Sequence, residues 1–224
     1  AVASRKAFDK ALSKKIFLMN GIPTPKFEIL DAERWAAQLD RLSFPVFVKP
    51  VCEGSSIDVH RIDSREDARE ILVPLLKKDS LFLAEEKADG PELTVSILGR
   101  KALPVIEIRP KRSFYDYTAK YTKGLTEYFV PADLTPENAE LVQKTALRVH
   151  ESLGLRDFSR VDIILSRQTP YVLEANTIPG FTETSLFPKA AGAAGMDFKG
   201  LCRELIMTAY ARMESGKVAE KVPR

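Results

Sequence analysis

The chain has 224 residues, 45% of them hydrophobic, which suffices for one large domain or two small ones with buried cores. Its 34 basic and 31 acidic residues are spread along the sequence and give a net charge of +3. No basic block indicates a nucleic-acid partner, and no apolar run approaches the roughly 20 residues that a membrane span needs. Cys52 and Cys202 are too few and too far apart to predict a disulfide framework, so the cytoplasm is the expected location.

The first part of the chain alternates helical and extended patterns. Apolar residues at helical spacing predict a helix over 4–20, which ends at Gly21. Ser64, with Asp67 three residues on, resembles the N-terminal cap of another helix. The remaining elements expected here are strands over 27–30, 44–49 and 81–85 and a short helix from about residue 31. We therefore predict an α/β lobe over 1–88.

The pattern changes after Gly90, where longer strands are predicted over 93–98 and 102–108. The segment from about 110 to 126 is polar and aromatic without periodicity, and its length predicts a functional loop. Thr135 is placed to cap a helix to about residue 153. Two strands, 158–165 and 171–175, and helices after Ser185 complete a second lobe, 89–224. The two lobes predict the α+β class.

The most informative segment is the predicted hairpin of the last two strands. Centred on Gln168, it places position 162 opposite 174 and position 160 opposite 176. Four polar side chains then share one face, while Val161 and Leu173 lie on the other side. The four are Arg160, Asp162, Glu174 and Asn176. Two opposed carboxylates, about 5 Å apart between their β carbons, repel each other unless a cation lies between them.

These side chains predict a divalent metal site. Oxygens of Asp162, Glu174 and Asn176 are hard ligands of the kind that Mg²⁺ takes together with nucleotide phosphates, and the lack of His and Cys argues against zinc. The alternative is a solvated polar face on which Arg160 simply pairs with Asp162, and spacing alone does not separate the two. The Pro-Gly turn at Gly180 favours the metal site, since it places backbone N–H groups beside the charges.

Lys49 is a second, weaker feature, at the end of an apolar strand and before a small loop with hydroxyl groups. Its ammonium group and the loop N–H groups can both meet phosphate oxygens. The glycine spacing and the Lys-Ser/Thr pair of a Walker motif are missing. The alternative is an exposed surface lysine.

Further runs of sequence combine with these two features in one order along the chain. They are Asp9-Lys10, Gly21 to Pro25, Val48 to Pro50 with Glu53 to Ser56, Gly90 to Val95, Phe114 to Tyr117 with Ala119 to Tyr121, Arg160 to Asp162, and Leu173 to Thr177 with Pro179-Gly180. In this order they resemble the D-alanine:D-alanine ligases of the ATP-grasp superfamily. The Phe-Tyr-Asp-Tyr run is much more specific to that family than the Glu-Ala-Asn run, which other ATP-grasp enzymes share.

The resemblance implies an ATP-grasp fold, in which two α/β lobes sandwich ATP, and a ligase that joins two D-alanines through an acyl phosphate for peptidoglycan precursors. Nucleotide contacts are implied for Lys10, Lys49, Ser56, Glu85, Glu86 and Glu92, with Glu85 near the adenine amino group and Glu92 at the ribose. Two Mg²⁺ ions, for which Mn²⁺ can substitute, are implied on Asp162, Glu174 and Asn176. For the glutamates, and above all for Glu86, the alternative is plain surface charge.

The resemblance also implies residues at the reacting groups. Arg160 and the Gly180 backbone are expected at the oxyanion and Lys120 at the transferred phosphate. Ser55 and Tyr121 are expected to fasten two loops over the site, and Ser185 with the Leu186 backbone to hold the second substrate's carboxylate. A helix N-cap is the alternative for Ser185.

The sequence departs from the family pattern in two places. The resemblance leads us to expect an N-terminal domain that this sequence does not include, and a glycine where Asp58 stands. Two alternatives therefore stay beside the D-alanine ligase: a truncated or relic ATP-grasp module that binds nucleotide without efficient turnover, and a ligase for another acceptor such as D-lactate or D-serine. A homodimer is compatible with any of them.

Overall fold

The computed structural model describes residues 2–54, 58–77, 81–110 and 126–219. Its elements are, in chain order, α1 (Val2–Phe8), α2 (Lys10–Met19), β1 (Phe27–Leu30), α3 (Trp35–Leu39), β2 (Val46–Pro50), β3 (His60–Ile62), α4 (Arg65–Leu76), β4 (Phe82–Glu86), β5 (Glu92–Leu98), β6 (Lys101–Ala102), β7 (Ile106–Pro110), β8 (Thr126–Phe129), α5 (Pro136–Ser152), β9 (Phe158–Ser166), β10 (Thr169–Asn176), α6 (Leu186–Ala193) and α7 (Phe198–Ala219). The predicted α+β class is confirmed. None of the helices in these ranges is long and apolar enough to cross a membrane.

The strands form two antiparallel sheets. The four-stranded sheet has the order β1-β4-β2-β3, and the six-stranded sheet has the order β10-β9-β5-β7-β8, with β6 paired to β5. Apolar side chains of α3 and α4, such as Leu39 and Leu72, cover the first sheet. Helix α5 covers the second sheet with Val142, Ala146 and Val149. Each sheet therefore has its own hydrophobic core.

The predicted N-terminal helix is interrupted at Asp9, so the expectation of one continuous helix was wrong. Asp9 is extended (φ −79°, ψ 101°), and its side chain accepts a hydrogen bond from the Leu12 backbone N–H at 2.9 Å. This N-cap satisfies a backbone donor at the start of α2, which apolar spacing does not reveal. The interruption makes Lys10 the first residue of α2.

The two N-terminal helices pack with the six-stranded sheet. Ala7, Phe17 and Ile22 belong to the hydrophobic cluster of that sheet, although they precede the four-stranded sheet in the sequence. The division at residue 88 stays a prediction about domains. The segment from Ala7 to Ile22 packs into the hydrophobic core of the six-stranded sheet.

The strand predicted over 102–108 is also interrupted. Pro104 has no N–H to donate, and pairing resumes only at Ile106. The caps at Ser64 and Thr135 are confirmed, since Ser64 Oγ accepts from the Asp67 N–H and Thr135 Oγ1 from the Asn138 N–H. Most of the predicted functional loop, 111–125, lies outside the described residues.

Candidate functional site

A cavity of about 520 Å³ lies between the two sheets, a size typical of small-molecule sites. Strands β2 and β4 line one wall, and β5, β7, β9 and β10 line the other. Most of the predicted nucleotide and metal residues meet here: Lys10, Lys49, Glu85, Glu86, Glu92, Asp162 and Glu174.

The β9–β10 hairpin presents the acidic residues through a turn and a bulge. Arg167 and Gln168 form a two-residue turn with φ of 45° and 67°, so that Thr169 pairs with Ser166 and the hairpin is not centred on Gln168 as predicted. The register shifts by one residue between Val172 and Glu174. This shift of one residue compensates for the one-residue difference between the predicted turn and the observed turn. The predicted pairing of Glu174 with Asp162, and of Asn176 with Arg160, is confirmed.

The bulge also moves Leu173. We predicted its side chain on the far side from the acidic residues, yet Leu173 lines the cavity together with Glu174. In a bulge two consecutive residues oppose a single partner, which breaks the strict alternation of faces. Sequence alternation alone could not show this.

Asp162 is held by hydrogen bonds from three directions and is only 7% exposed. Arg160 donates to both of its oxygens, at 3.0 Å from Nε and 2.9 Å from Nη2. Thr94 Oγ1 donates to Oδ1 at 2.6 Å and Asn176 Nδ2 to Oδ2 at 3.0 Å. The Arg160–Asp162 pair that we held as the alternative is therefore present, but on a buried wall of the cavity and not on a solvated face.

The donor set at this wall fits Mg²⁺. No group of three or more His, Cys, Asp or Glu residues close enough to hold a metal occurs in the described ranges. The candidate ligands are the carboxylates of Asp162 and Glu174 and the amide oxygen of Asn176, whose nitrogen faces Asp162. Mg²⁺ commonly takes one or two carboxylates and completes its shell with water and phosphate oxygens.

Lys49 and Glu85 form an ion pair on the opposite wall. Lys14, a residue that the sequence reasoning missed, is completely buried, and its Nζ lies 2.7 Å from Glu85 Oε2. Burial alone would raise the pKa of Glu85, but the ammonium groups of Lys14 and Lys49 outweigh it and lower the pKa to about 2. Lys14 follows Lys10 by four residues, and this shared helix face is the signal that could have identified it.

Three lysines, Lys10, Lys14 and Lys49, interact with the carboxylate of Glu85. Burial lowers the pKa of Lys14 to about 8, with Glu85 partly offsetting it. Burial also lowers the pKa of Lys10, and Glu174 offsets part of that effect. For Lys49 the attraction of Glu85 and Glu174 outweighs burial, so its pKa is raised. Crowded lysines of this kind favour an anionic ligand.

Lys10 and Glu86 are placed by contacts with neighbouring loops. The Lys10 ammonium donates to the Glu53 carbonyl, and its backbone N–H donates to the Val51 carbonyl at 3.0 Å. Glu86 Oε1 accepts from the Ser43 N–H at 2.9 Å. Glu86 therefore lines the cavity, and one of its carboxylate oxygens also holds the loop at Ser43 in place.

Gly180, Ser185 and Leu186 lie together at the start of α6, outside the lining of the cavity. Ser185 occupies the N-cap position without capping, since its Oγ accepts from the Thr182 N–H at 3.0 Å. A β carbon on Gly180 would lie 2.9 Å from Ser185 Oγ. The N-terminal N–H groups of α6 have no side-chain cap, a suitable arrangement for a carboxylate.

The remaining predicted residues, Ser55, Ser56, Lys120 and Tyr121, lie outside the described residues. Asp58, the departure from the family pattern, has φ of 51°. This left-handed conformation is the one that glycine adopts freely and that Asp tolerates better than most residues. The glycine that the resemblance leads us to expect at this position would adopt the conformation without strain.

Comparison with solved structures gives the class of the protein. D-alanine–D-alanine ligase from Bacillus anthracis, complexed with ATP, has a TM-score of 0.82 and 34% identity, covering 96% of this chain and 70% of that one. VanG D-Ala:D-Ser ligase from Enterococcus faecalis has a TM-score of 0.79 and 29% identity, covering 92% of this chain and 62% of that one. The two α/β lobes around the cavity are an ATP-grasp fold, as predicted.

Sequence comparison gives the family. The family model described as D-ala D-ala ligase C-terminus matches residues 16–207. D-alanine–D-alanine ligase from Methylacidiphilum infernorum is 46% identical over 218 residues, and the alignment covers 96% of this chain and 70% of that protein. The chain belongs to the D-alanine–D-alanine ligase family.

Proposed function

We propose that this chain joins two D-alanines into D-alanyl-D-alanine at the expense of ATP, for peptidoglycan precursor synthesis in the cytoplasm. The observation that carries the proposal is the pairing of Asp162 with Glu174 on one wall of a cavity whose other wall holds Lys49. Metal-binding oxygens and phosphate-binding lysines thus face one space large enough for a nucleotide. Family membership supplies the identity of the substrate.

The residues that line the cavity fit a nucleotide. Lys10 and Lys49 would meet its phosphates, and Glu92 its ribose. Glu85, which lines the cavity beside Lys49, would lie near the adenine amino group. Asp162, Glu174 and Asn176 would hold two Mg²⁺ ions, which neutralise phosphate charge during transfer when bound.

The chemistry has two steps. A carboxylate oxygen of the first D-alanine attacks the γ-phosphorus, and the bond between the γ-phosphorus and the oxygen bridging it to the β-phosphate breaks. The products of this step are ADP and an acyl phosphate. The neutral amine of the second D-alanine then attacks the acyl carbon. The carbon–oxygen bond to phosphate breaks, and phosphate and a proton are released.

The protein groups act mainly on charge and position. Arg160, fixed by its two hydrogen bonds to Asp162, and the Gly180 N–H would stabilise the oxyanion of the tetrahedral species. Ser185 and the Leu186 N–H would hold the second substrate's carboxylate at the start of α6. Lys120 on the transferred phosphate, the Ser55–Tyr121 link and the Ser56 contact to ATP stay predictions from the resemblance.

The test is phosphate release from Mg²⁺-ATP with D-alanine, with L-alanine as the control. We expect release that depends on D-alanine, with one dipeptide formed for each phosphate. Nucleotide binding without any release would instead support the binding module. A folded sample that neither binds nor hydrolyses ATP would contradict both functions.

D-serine is a second candidate acceptor, because the fold matches the VanG D-Ala:D-Ser ligase over 92% of this chain. Competition between D-alanine, D-serine and D-lactate, read out by product mass, decides between them. We expect D-alanyl-D-alanine to dominate, since the identity to a D-alanine–D-alanine ligase is higher, at 46%.

A further inference from the structure

Lys14 and Thr24 form a buried contact outside the lining of the cavity. The Lys14 side chain is 0% exposed, and its Nζ donates to Thr24 Oγ1 at 2.6 Å. A buried ammonium group is costly unless partners compensate for its lost hydration. Lys14 has such partners in Thr24 and Glu85, and they belong to different parts of the fold.

The Thr24 hydroxyl leads to the β10 bulge. It donates to the Val172 carbonyl at 2.7 Å, and the Val172 N–H donates to the Pro23 carbonyl at 2.9 Å. Both polar backbone groups of Val172 are thus held by the segment after α2. Val172 is the residue directly before the register shift that brings Leu173 and Glu174 to the cavity.

Glu85 connects Lys14 to Lys49 on the opposite wall of the cavity. Its carboxylate lies between the ammonium groups of Lys14 and Lys49, so one negative charge is shared by two positive charges. Without Lys14, Glu85 would balance Lys49 alone. The positive charge near Lys49, which favours phosphate, would then fall by one.

We propose that Lys14 and Thr24 are positioning residues that tie the metal-binding wall at β10 to the phosphate-binding Lys49 across the cavity. The contacts run from the Val172 carbonyl through Thr24, Lys14 and Glu85 to Lys49. The inference rests on the proposed ATP site and deepens it: these two residues set nucleotide affinity without touching the nucleotide.

The test compares Thr24→Val, which keeps the shape and removes the hydroxyl group, with Thr24→Ser, which keeps the hydroxyl group. Lys14→Met is compared with Lys15→Met, since Lys15 is the exposed neighbour on the same helix. Affinity for Mg²⁺ with a non-hydrolysable ATP analogue is measured by calorimetry, and KM for ATP and for D-alanine by phosphate release. Thermal unfolding reports the folded fraction.

We expect Thr24→Val and Lys14→Met each to weaken nucleotide binding and raise KM for ATP about tenfold or more, because the metal-binding wall and Lys49 would no longer be held in place by their supporting contacts. KM for D-alanine should change less than about twofold. Thr24→Ser and Lys15→Met should match the wild type within about twofold. Rescue by serine separates loss of the hydroxyl group from general disturbance.

Nucleotide affinity that is unchanged in folded Thr24→Val and Lys14→Met, whatever happens to kcat or the unfolding temperature, would overturn the inference while leaving the ligase proposal intact. A wild type that binds nucleotide yet forms no dipeptide would refute the proposed function, and the affinities would still decide the role of Lys14 and Thr24. A wild type without nucleotide binding would overturn both.

Discussion

At the scale of single residues, the charge of Glu85 contributes to the stability of the fold. Because its pKa is lowered from 4.5 to about 2 in the folded protein, the ionised carboxylate stabilises the fold above about pH 4.5. That contribution is lost as the pH falls from about 4.5 towards 2. We expect Glu85→Gln to lower the free energy of unfolding by about 3–5 kcal/mol at pH 7, since Lys14 and Lys49 lose their shared counter-charge.

Denaturant unfolding at a series of pH values measures this effect. The difference between wild type and Glu85→Gln should shrink as the pH falls below about 4.5. Glu140→Gln is the control, because Glu140 forms an exposed pair with Lys144 and should cost less than about 0.5 kcal/mol. A difference that stays constant down to pH 3 would show that Glu85 stabilises by packing and not by charge.

Gly180 tests the acceptor side of the site. A methyl group at this position would lie 2.9 Å from Ser185 Oγ and must displace it. We expect Gly180→Ala to raise KM for the second D-alanine and to lower kcat, about tenfold or more in kcat/KM, with KM for ATP nearly unchanged. Gly192→Ala is the control, since no atom lies within 4 Å of a β carbon there. Equal kinetics in the two variants would argue against a role for Ser185.

Single residues differed in how far the sequence could predict them. Although their register came out right only because the bulge offset the error in the turn, Asp162 and Glu174 were predictable as candidate metal ligands from their residue types. Thr94 was not, since the hydroxyl group that contacts Asp162 comes from a residue 68 positions away. Lys14 was missed because its partner Glu85 belongs to the other sheet.

At the scale of elements, the β9–β10 turn offers a stabilising substitution. Arg167 and Gln168 both have positive φ, which side chains disfavour and which the Asn-Gly sequence adopts readily. We expect the double variant Arg167→Asn/Gln168→Gly to raise the free energy of unfolding by about 1 kcal/mol without changing ligase kinetics. Thermal and denaturant unfolding measure it. An unchanged or lower stability would contradict the assigned turn type.

The link between the sheets depends on Gly90. Its φ is 151°, and a β carbon there would lie 2.1 Å from the Leu165 carbonyl oxygen, an atom of the backbone that cannot move away alone. We expect Gly90→Ala to lower the free energy of unfolding by roughly 3 kcal/mol or more. Gly99 has φ of 59°, and no atom lies within 4 Å of a β carbon there. We expect Gly99→Ala to lower the free energy of unfolding by only about 1 kcal/mol, through backbone strain. Similar losses in both variants would contradict the close approach.

The order of the elements was largely predictable, but their interruptions were not. Apolar spacing predicts one helix before Gly21 and does not register the cap at Asp9 that divides it. The bulge at Leu173 leaves no mark in the alternation of the strand, yet it sets the faces of the residues that follow. The cap depends on one side-chain hydrogen bond, and the bulge depends on the register between two strands.

At the scale of the whole molecule, the two sheets lie on opposite sides of the cavity. Sequence patterns predict the α/β alternation of both lobes, but they carry no information on how α2 packs. In the structure α2 joins the core of one sheet through Phe17 and meets the other sheet through the Lys14–Glu85 ion pair. The cavity is therefore shaped by a helix that the sequence places well before either wall.

The central claim is that carboxylates on β9 and β10 hold divalent metal, and that the metal and Lys49 together bind the triphosphate. The most direct test is an electron paramagnetic resonance titration with Mn²⁺ and a non-hydrolysable ATP analogue. We predict two bound Mn²⁺ ions per wild-type chain that require the nucleotide, weakened about tenfold or more in Glu174→Gln and unchanged in Glu140→Gln. Nucleotide-dependent Mn²⁺ binding that is the same in Glu174→Gln, or absent from the folded wild type, would contradict the account.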